Sequence, residues 1–255
     1  MTSKSTQLDA MQLEAQRLGL VGLLEHWHEL PAEQREKVIH WEAFTRRQRS
    51  LQRRMAAAKL GRFKPMADFD WLWPKQLDRA QVEDLFTLDI VRQGCNAVLI
   101  GPNGTGKTMV CKNLVHHAVM AGYTATFIAA SDMLRDLAEQ PDARTRYKRV
   151  KHYTEPDLLG VDEVGYLSYD NRYADLLYEV LNGRYQRKST IITTNRPFSQ
   201  WTEVFPNAVS VVTLVDRVTH QAEIVQFVAD SYRLKEATEQ RQLRAAARAK
   251  RTDTP

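Results

Sequence analysis

Residues 101–108 read Gly-Pro-Asn-Gly-Thr-Gly-Lys-Thr. They lie between an apolar run, Ala97-Val98-Leu99-Ile100, and a segment with apolar residues at Val110, Leu114, Ala118 and Val119. The first run suits a buried parallel strand, and the second has helical spacing. Glycines in such a loop let backbone N–H groups curl round phosphate oxygens, and the following helix adds the partial positive charge of its N-terminus. Lys107 is expected to reach β- and γ-phosphates, and the Thr108 hydroxyl to hold Mg²⁺. The stretch Gly101, Pro102, Asn103, Gly104, Thr105, Gly106, Lys107, Thr108 and Met109 is therefore predicted to bind a nucleoside triphosphate. A strand, a glycine loop and a helix in succession point to an α/β fold with the loop at the carboxyl end of its sheet.

A second apolar run, Leu158-Leu159-Gly160-Val161, ends in Asp162 and Glu163. A strand buried on both faces would deliver both acids at the ligand edge of the sheet. Asp162 is then placed to hold Mg²⁺, and Glu163 to orient or deprotonate an attacking water. Gly160 leaves no side chain to pack and weakens the strand. A third run, Ser189-Thr190-Ile191-Ile192-Thr193-Thr194, ends in Asn195, a neutral amide able to sense a γ-phosphate or the attacking water. Alone each acid or amide would read as a strand-end turn; together with the loop they read as one catalytic set.

Strands are expected at 97–100, 124–129, 157–161, 189–194 and 223–228. Helices are expected at 107–121, 131–140 with Ser131 as cap, 172–186, and briefly after Pro197. This alternation predicts a parallel sheet between helices. Ahead of it, residues 6–30 and 32–60 read as helices separated by Pro31, and 63–74, aromatic and bounded by prolines, as a strapped linker. The reading is thus a small all-helical domain at 1–64, an α/β domain at 65–235 and a charged tail at 236–255.

Between Arg35 and Lys64 stand ten Lys or Arg against two acids, although the whole chain has a net charge of only +5. A second cluster is Arg144, Arg146, Lys148, Arg149 and Lys151, and a third is Arg241, Arg244, Arg248, Lys250 and Arg251. Charge segregated in this way points to a polyanion. Arg46, Arg47, Arg49, Arg53, Arg54, Lys59, Arg144, Arg146, Lys148 and Arg149 are the expected contacts to it, which the resemblance given below makes contacts to DNA. Trp41 and Phe44 sit at apolar helical positions, which favours packing over base stacking. No apolar stretch approaches a membrane span. The start lacks the pattern of a secretory signal and the two cysteines give no disulfide framework, so a cytoplasmic protein is expected.

Taken together, Gly-Pro-Asn-Gly-Thr-Gly-Lys-Thr, Val-Asp-Glu-Val-Gly-Tyr-Leu (161–167), Thr-Thr-Asn-Arg (193–196) and Asp-Arg-Val-Thr-His (216–220) resemble AAA+ P-loop ATPases. Within those, the chain is most similar to the IstB/DnaC group and the IstB-like ATP-binding helpers of insertion sequences. The likeness extends from Leu13–Gly22 through Arg53-Arg54 and Asp68-Phe69-Asp70 to Ser231-Tyr232-Arg233. It implies ATP and Mg²⁺ as cofactors, a homo-oligomeric ring or helical filament on duplex DNA, and a cognate transposase served during target selection. It also implies that Arg217 reaches the ATP of the next subunit as an arginine finger, and that Arg233 is a second sensor or a structural charge. Met109, Cys111, Gly160 and Thr219 depart from the family pattern without removing a catalytic atom. With no recognition-helix pattern, little DNA sequence preference is expected. A DnaC-like helicase loader shares all these residues; a small-molecule kinase leaves the second and third motifs unexplained, and no Asn-Lys-x-Asp guanine motif occurs.

Overall fold

The computed structural model describes residues 2–165, 171–204 and 208–252. Tyr166 and Leu167, and the side chains of Arg248, Lys250 and Arg251, lie outside the described residues. The chain divides into two compact units between Arg54 and Met55, rather than at 64/65.

The first unit contains α1 (Thr2–Arg17), α2 (Val21–Glu25) and most of α3 (Ala32–Ala58). The single helix expected at 6–30 is broken. Gly19 has φ +62°, with Gly19 N–H bonded to Gln16 O and Leu20 N–H to Ala15 O, a glycine helix stop. Ala15, Trp27 and Ile39 form the local core. The Arg35 guanidinium lies 4.6 Å over the Trp27 ring and donates to the Trp27 carbonyl. Trp41 and Phe44, expected to pack, are 65% and 53% exposed. They lie roughly 200° and 140° round the helix from buried Ile39, so the packed stripe misses both.

The second unit opens with a 3₁₀ turn (Met66–Asp68), α4 (Arg79–Leu85) and α5 (Asp89–Gln93). Five parallel strands follow: β1 (Asn96–Ile100), β2 (Ala125–Ala129), β3 (Leu158–Val164), β4 (Ser189–Thr194) and β5 (Ala222–Gln226). Their order across the sheet is β2-β3-β4-β1-β5. The connecting helices are α6 (Lys107–Met120), α7 (Ala130–Ala138), α8 (Ala143–Thr154), α9 (Asn171–Arg184), α10 (Trp201–Val204) and α11 (Ala208–Thr219), and α12 (Tyr232–Thr252) closes the chain. α12 begins before the 235/236 boundary and runs through it. Helices cover the central strands on both faces, which is why those strands read as unbroken apolar runs. Among the described residues no helix is long and apolar enough to cross a membrane.

Two local readings change. β2 passes directly into α7, whose N-cap is Ala129 with no side-chain cap, so Ser131 lies inside the helix and does not cap it. The basic stretch 143–154, not assigned as helix, is α8. Asp142 accepts from Arg144 and Thr145 N–H, and the Thr145 hydroxyl accepts in return from Asp142 N–H. The far end of α8 is held by Arg184, whose buried guanidinium donates to the carbonyls of Tyr153, Thr154, Pro156 and Ser189. Burial lowers its pKa to about 9.

Gly160 has a packing role that its weak strand propensity hides. A Cβ there would meet Cys111 Sγ at 2.9 Å and Val115 Cγ2 at 3.1 Å, so the missing side chain lets α6 lie close on β3. Gly160→Ala should therefore cost about 1–3 kcal/mol of stability through overpacking. Adding Cys111→Ala should recover most of that loss in urea unfolding; equal loss in the single and double variants would contradict the packing account.

Candidate nucleotide site

The glycine loop leaves β1 and enters α6, and the strand order brings the carboxyl ends of β4 and β3 to its side. Gly106 caps α6 with φ +102°, and a Cβ there would meet Phe69 Cε2 at 2.5 Å. Gly104 likewise leaves no room for a Cβ beside Ser231 Oγ, and its carbonyl accepts from Tyr232 N–H at 2.9 Å. The loop is thus enclosed between Phe69 and the start of α12.

Lys107 is buried at 8% exposure, and its Nζ donates to Gly101 O at 2.6 Å and Pro102 O at 2.7 Å. Desolvation lowers its pKa to about 8; nearby Asp162 and Glu163 oppose the shift and Arg233 adds to it. Thr108 Oγ1 donates to Asp162 Oδ1 at 3.0 Å, and Thr193 Oγ1 donates to the same oxygen at 2.5 Å. The Thr193 hydroxyl also accepts from Glu163 N–H at 2.9 Å. Asn195 Oδ1 is buried with no hydrogen-bond partner among the described residues.

The cleft is lined by Asn103 to Met109, Glu163, Thr193, Thr194, Asn195 and Arg233, which gathers most of the expected set. Its other wall was not foreseen as part of a site. Lys64, Asp68, Phe69, Asp70 and Trp73 come from the strap, and Tyr232 and Glu236 from α12. Lys64 pairs with Glu236 at 2.7 Å and Lys235 with Asp70 at 3.1 Å. Lys235 lies 4.5 Å from the Trp73 ring centroid, and Trp73 Nε1 donates to Asp230 O. Asn113 of α6 fixes the strap, accepting from Met66 N–H and donating to Lys64 O. The aromatic, proline-bounded composition of 63–74 was the available signal for this wall.

Arg217 does not line this cleft. It sits on α11 with its guanidinium 5.0 Å over the ring of Tyr178, on α9, and 5.6 Å over that of Tyr185, the residue just past the end of α9. The expected DNA contacts divide by environment. Arg46, Arg47, Arg49, Arg53, Lys59, Arg144 and Lys148 are exposed, while Arg54 and Arg146 are half-buried. Arg46 pairs with Glu42 within one helix, a weak exposed contact. Arg149 is the exception: its Nε is paired with Asp136, which also accepts from the Tyr153 hydroxyl. That network fastens α8 to α7, so Arg149 is a structural cation and not a free contact.

A chain with this geometry has close relatives. The sequence pattern of the IstB-like ATP binding protein family matches residues 10–240. The chain belongs to the IstB-like ATP-binding family. It is 33% identical to the ATP-binding protein of insertion sequence IS232 from Bacillus thuringiensis subsp. berliner over 238 residues, 91% of this chain and 94% of that one. It is 31% identical to the insertion sequence IS21 ATP-binding protein of Pseudomonas aeruginosa, over 75% of this chain and 72% of the relative. Among solved structures the fold is similar to DnaI (TM-score 0.56, 16% identity, 67% of this chain and 93% of DnaI). It is also similar to the replication initiator DnaA bound to AMPPCP and single-stranded DNA (TM-score 0.54, 21% identity, 69% of this chain and 53% of DnaA). The α/β unit shares the fold of these replication proteins, and the family is one of ATP-binding proteins.

The depressed pKa of Lys107 gives a signed expectation for ATP. Below about pH 8 the free lysine is already charged, whereas between pH 8 and its ordinary 10.5 it is neutral in the folded chain. Phosphate favours the charged form, so ATP binding at pH 9 should take up close to one proton, and binding near pH 6.5 almost none. Calorimetry in buffers of different ionisation enthalpy reads this directly; equal uptake at both values would contradict the assignment.

Proposed function

We propose that this chain is a Mg²⁺-dependent ATPase that multimerises on duplex DNA and assists a transposase in selecting or remodelling target DNA. The observation that supports it most is the convergence of Thr108, Thr193 and Asp162 beside an unpartnered Asn195 carbonyl. The Thr108 hydroxyl and the Asp162 carboxylate are hard oxygen ligands that would hold Mg²⁺, and the Thr193 hydroxyl orients that carboxylate. The ion would neutralise charge on the phosphate oxygens. A water positioned by Asn195 attacks the γ-phosphorus and gives its proton to Glu163. The new P–O bond forms as the bond to the β-phosphate oxygen breaks, and ADP leaves with the electron pair. Lys107 from the loop and Arg233 from α12 both line the cleft and would neutralise phosphate charge there.

Arg217 supports the multimer. It lies off its own cleft, stacked on two tyrosines that limit its freedom, and no ion pair holds it among the described residues. In the proposed assembly it enters the neighbour's cleft, a head-to-tail contact that yields rings or helical filaments. Exposed Arg46, Arg47, Arg49, Arg53, Lys59, Arg144 and Lys148, together with half-buried Arg54 and Arg146, then contact phosphates. Repeated along an assembly, such contacts sum without reading sequence. The insertion-sequence names of the relatives support the transposase partner and a cytoplasmic setting. A helicase loader would use the same site and differ only in the protein it captures.

Glu163→Gln should retain ATP binding and lose hydrolysis by on the order of 10²-fold or more. Replacing Arg46, Arg47, Arg49 and Arg53 with Gln should weaken binding to unrelated duplexes equally and reduce the slope of log K against log salt by about three to four. Hydrolysis by Glu163→Gln at the wild-type rate, or an unaltered salt slope, would overturn the corresponding half of the reading.

A further inference from the structure

Glu163 sits in an unusual piece of backbone. β3 pairs with β4 in regular register up to Val161↔Ile192, then shifts and resumes at Val164↔Thr194. Within the shift Glu163 has φ +61°, a left-handed conformation that a non-glycine residue adopts only when its surroundings impose it. The bulge takes the Glu163 N–H out of the regular strand ladder. Its acceptor is a side chain, Thr193 Oγ1, at 2.9 Å.

Thr193 is 1% exposed, and Asp162, which receives its hydroxyl proton, is 7% exposed. A threonine hydroxyl has one proton and two lone pairs. Here the proton goes to Asp162 Oδ1 and a lone pair to Glu163 N–H, so one oxygen fixes both acids at once. Thr108 reaches Asp162 independently from α6.

We propose that Thr193 is the positioning residue for Glu163: its hydroxyl, bonded to the Asp162 carboxylate and the Glu163 amide together, holds the bulge that aims the Glu163 carboxylate at the attacking water. The proposal rests on the ATPase reading above. It assigns Thr193 a task separate from that of Asn195, which faces the reacting atoms. It also explains why a buried β4 position, next to apolar Ile191 and Ile192, holds a hydroxyl at all.

Valine has the shape of threonine but neither bonds the Glu163 amide nor donates to Asp162, while serine keeps both bonds. Three readouts on the full chain separate a positioning role from a packing role. Thr193→Val should bind a fluorescent ATP analogue with Mg²⁺ within about threefold of wild type, because Thr108 still holds Asp162, yet lose on the order of 10²-fold in kcat with little change in KM. Thr193→Ser should regain most of that loss. Amide exchange resolved by NMR should show faster exchange at Glu163 in Thr193→Val, with Leu159 to Val161 unchanged. A Glu163 amide as protected in Thr193→Val as in wild type, or wild-type kcat in that variant, overturns the proposal. Loss of hydrolysis in Glu163→Gln but not in Thr193→Val defeats the positioning claim alone. A wild-type chain that turns over no ATP, with or without duplex DNA, defeats the ATPase reading and this claim with it.

Discussion

One oxygen of one buried carboxylate organises the nucleotide site of this molecule. Asp162 Oδ1 receives the Thr108 hydroxyl from α6 and the Thr193 hydroxyl from β4, while Asp162 itself stands at the end of β3. A carboxylate at that depth needs donors, because water cannot supply them. Satisfying it fixes the mutual placement of three elements, and through Thr193 it reaches the Glu163 backbone as well. The glycine loop is then set by steric exclusion, with Phe69 and Ser231 occupying the space that side chains at Gly106 and Gly104 would fill.

The cleft is furnished unequally. Lys107, Glu163 and the Asn195 amide lie on the loop and sheet side, and aromatic rings, two ion pairs and Arg233 on the side of the strap and α12, but Arg217 is elsewhere. In the proposed assembly the neighbour supplies that missing charge, so the tyrosines beneath Arg217 are as much part of the chemistry as the loop lysine. Stacking on Tyr178 and Tyr185 limits the rotamers the guanidinium must give up on entering a phosphate site. The same contact would repeat the exposed arginines of every subunit along a duplex, which ties nucleotide state to DNA affinity without any recognition helix.

Much of this was legible in the residues because short-range rules sufficed. All five strands lie close to the expected segments, three of them (β1, β3 and β4) end at the motifs, and Lys107, Glu163 and Asn195 meet in one cleft with Asp162 beside them. Failures fall where tertiary context or a single backbone dihedral decides. Gly19 in the left-handed region splits a segment whose hydrophobic period continues through it. Ala129 lets a strand run into a helix with no cap residue to announce the change. The capping box at Asp142 and Thr145 announces a helix, but the dense charge of 143–154 leaves few apolar residues to carry a helical period. Arg149 reads as one cation of a cluster until Asp136 is found beside it. Thr193 is the least legible: its bond to the Glu163 amide arises at a register shift between β3 and β4, which no pattern within 189–195 encodes.

The central claim is that an active site here spans two subunits, and subunit mixing tests it most directly. Glu163→Gln retains a finger but has no base, and Arg217→Ala retains the base but supplies no finger. Each should be inactive alone on duplex DNA. Mixed in equal amounts, random assembly places a Glu163→Gln finger at an Arg217→Ala cleft in about a quarter of interfaces, so ATPase activity should return to roughly that share of wild type. A mixture as inactive as its parents, or an Arg217→Ala protein fully active on its own, would contradict the account.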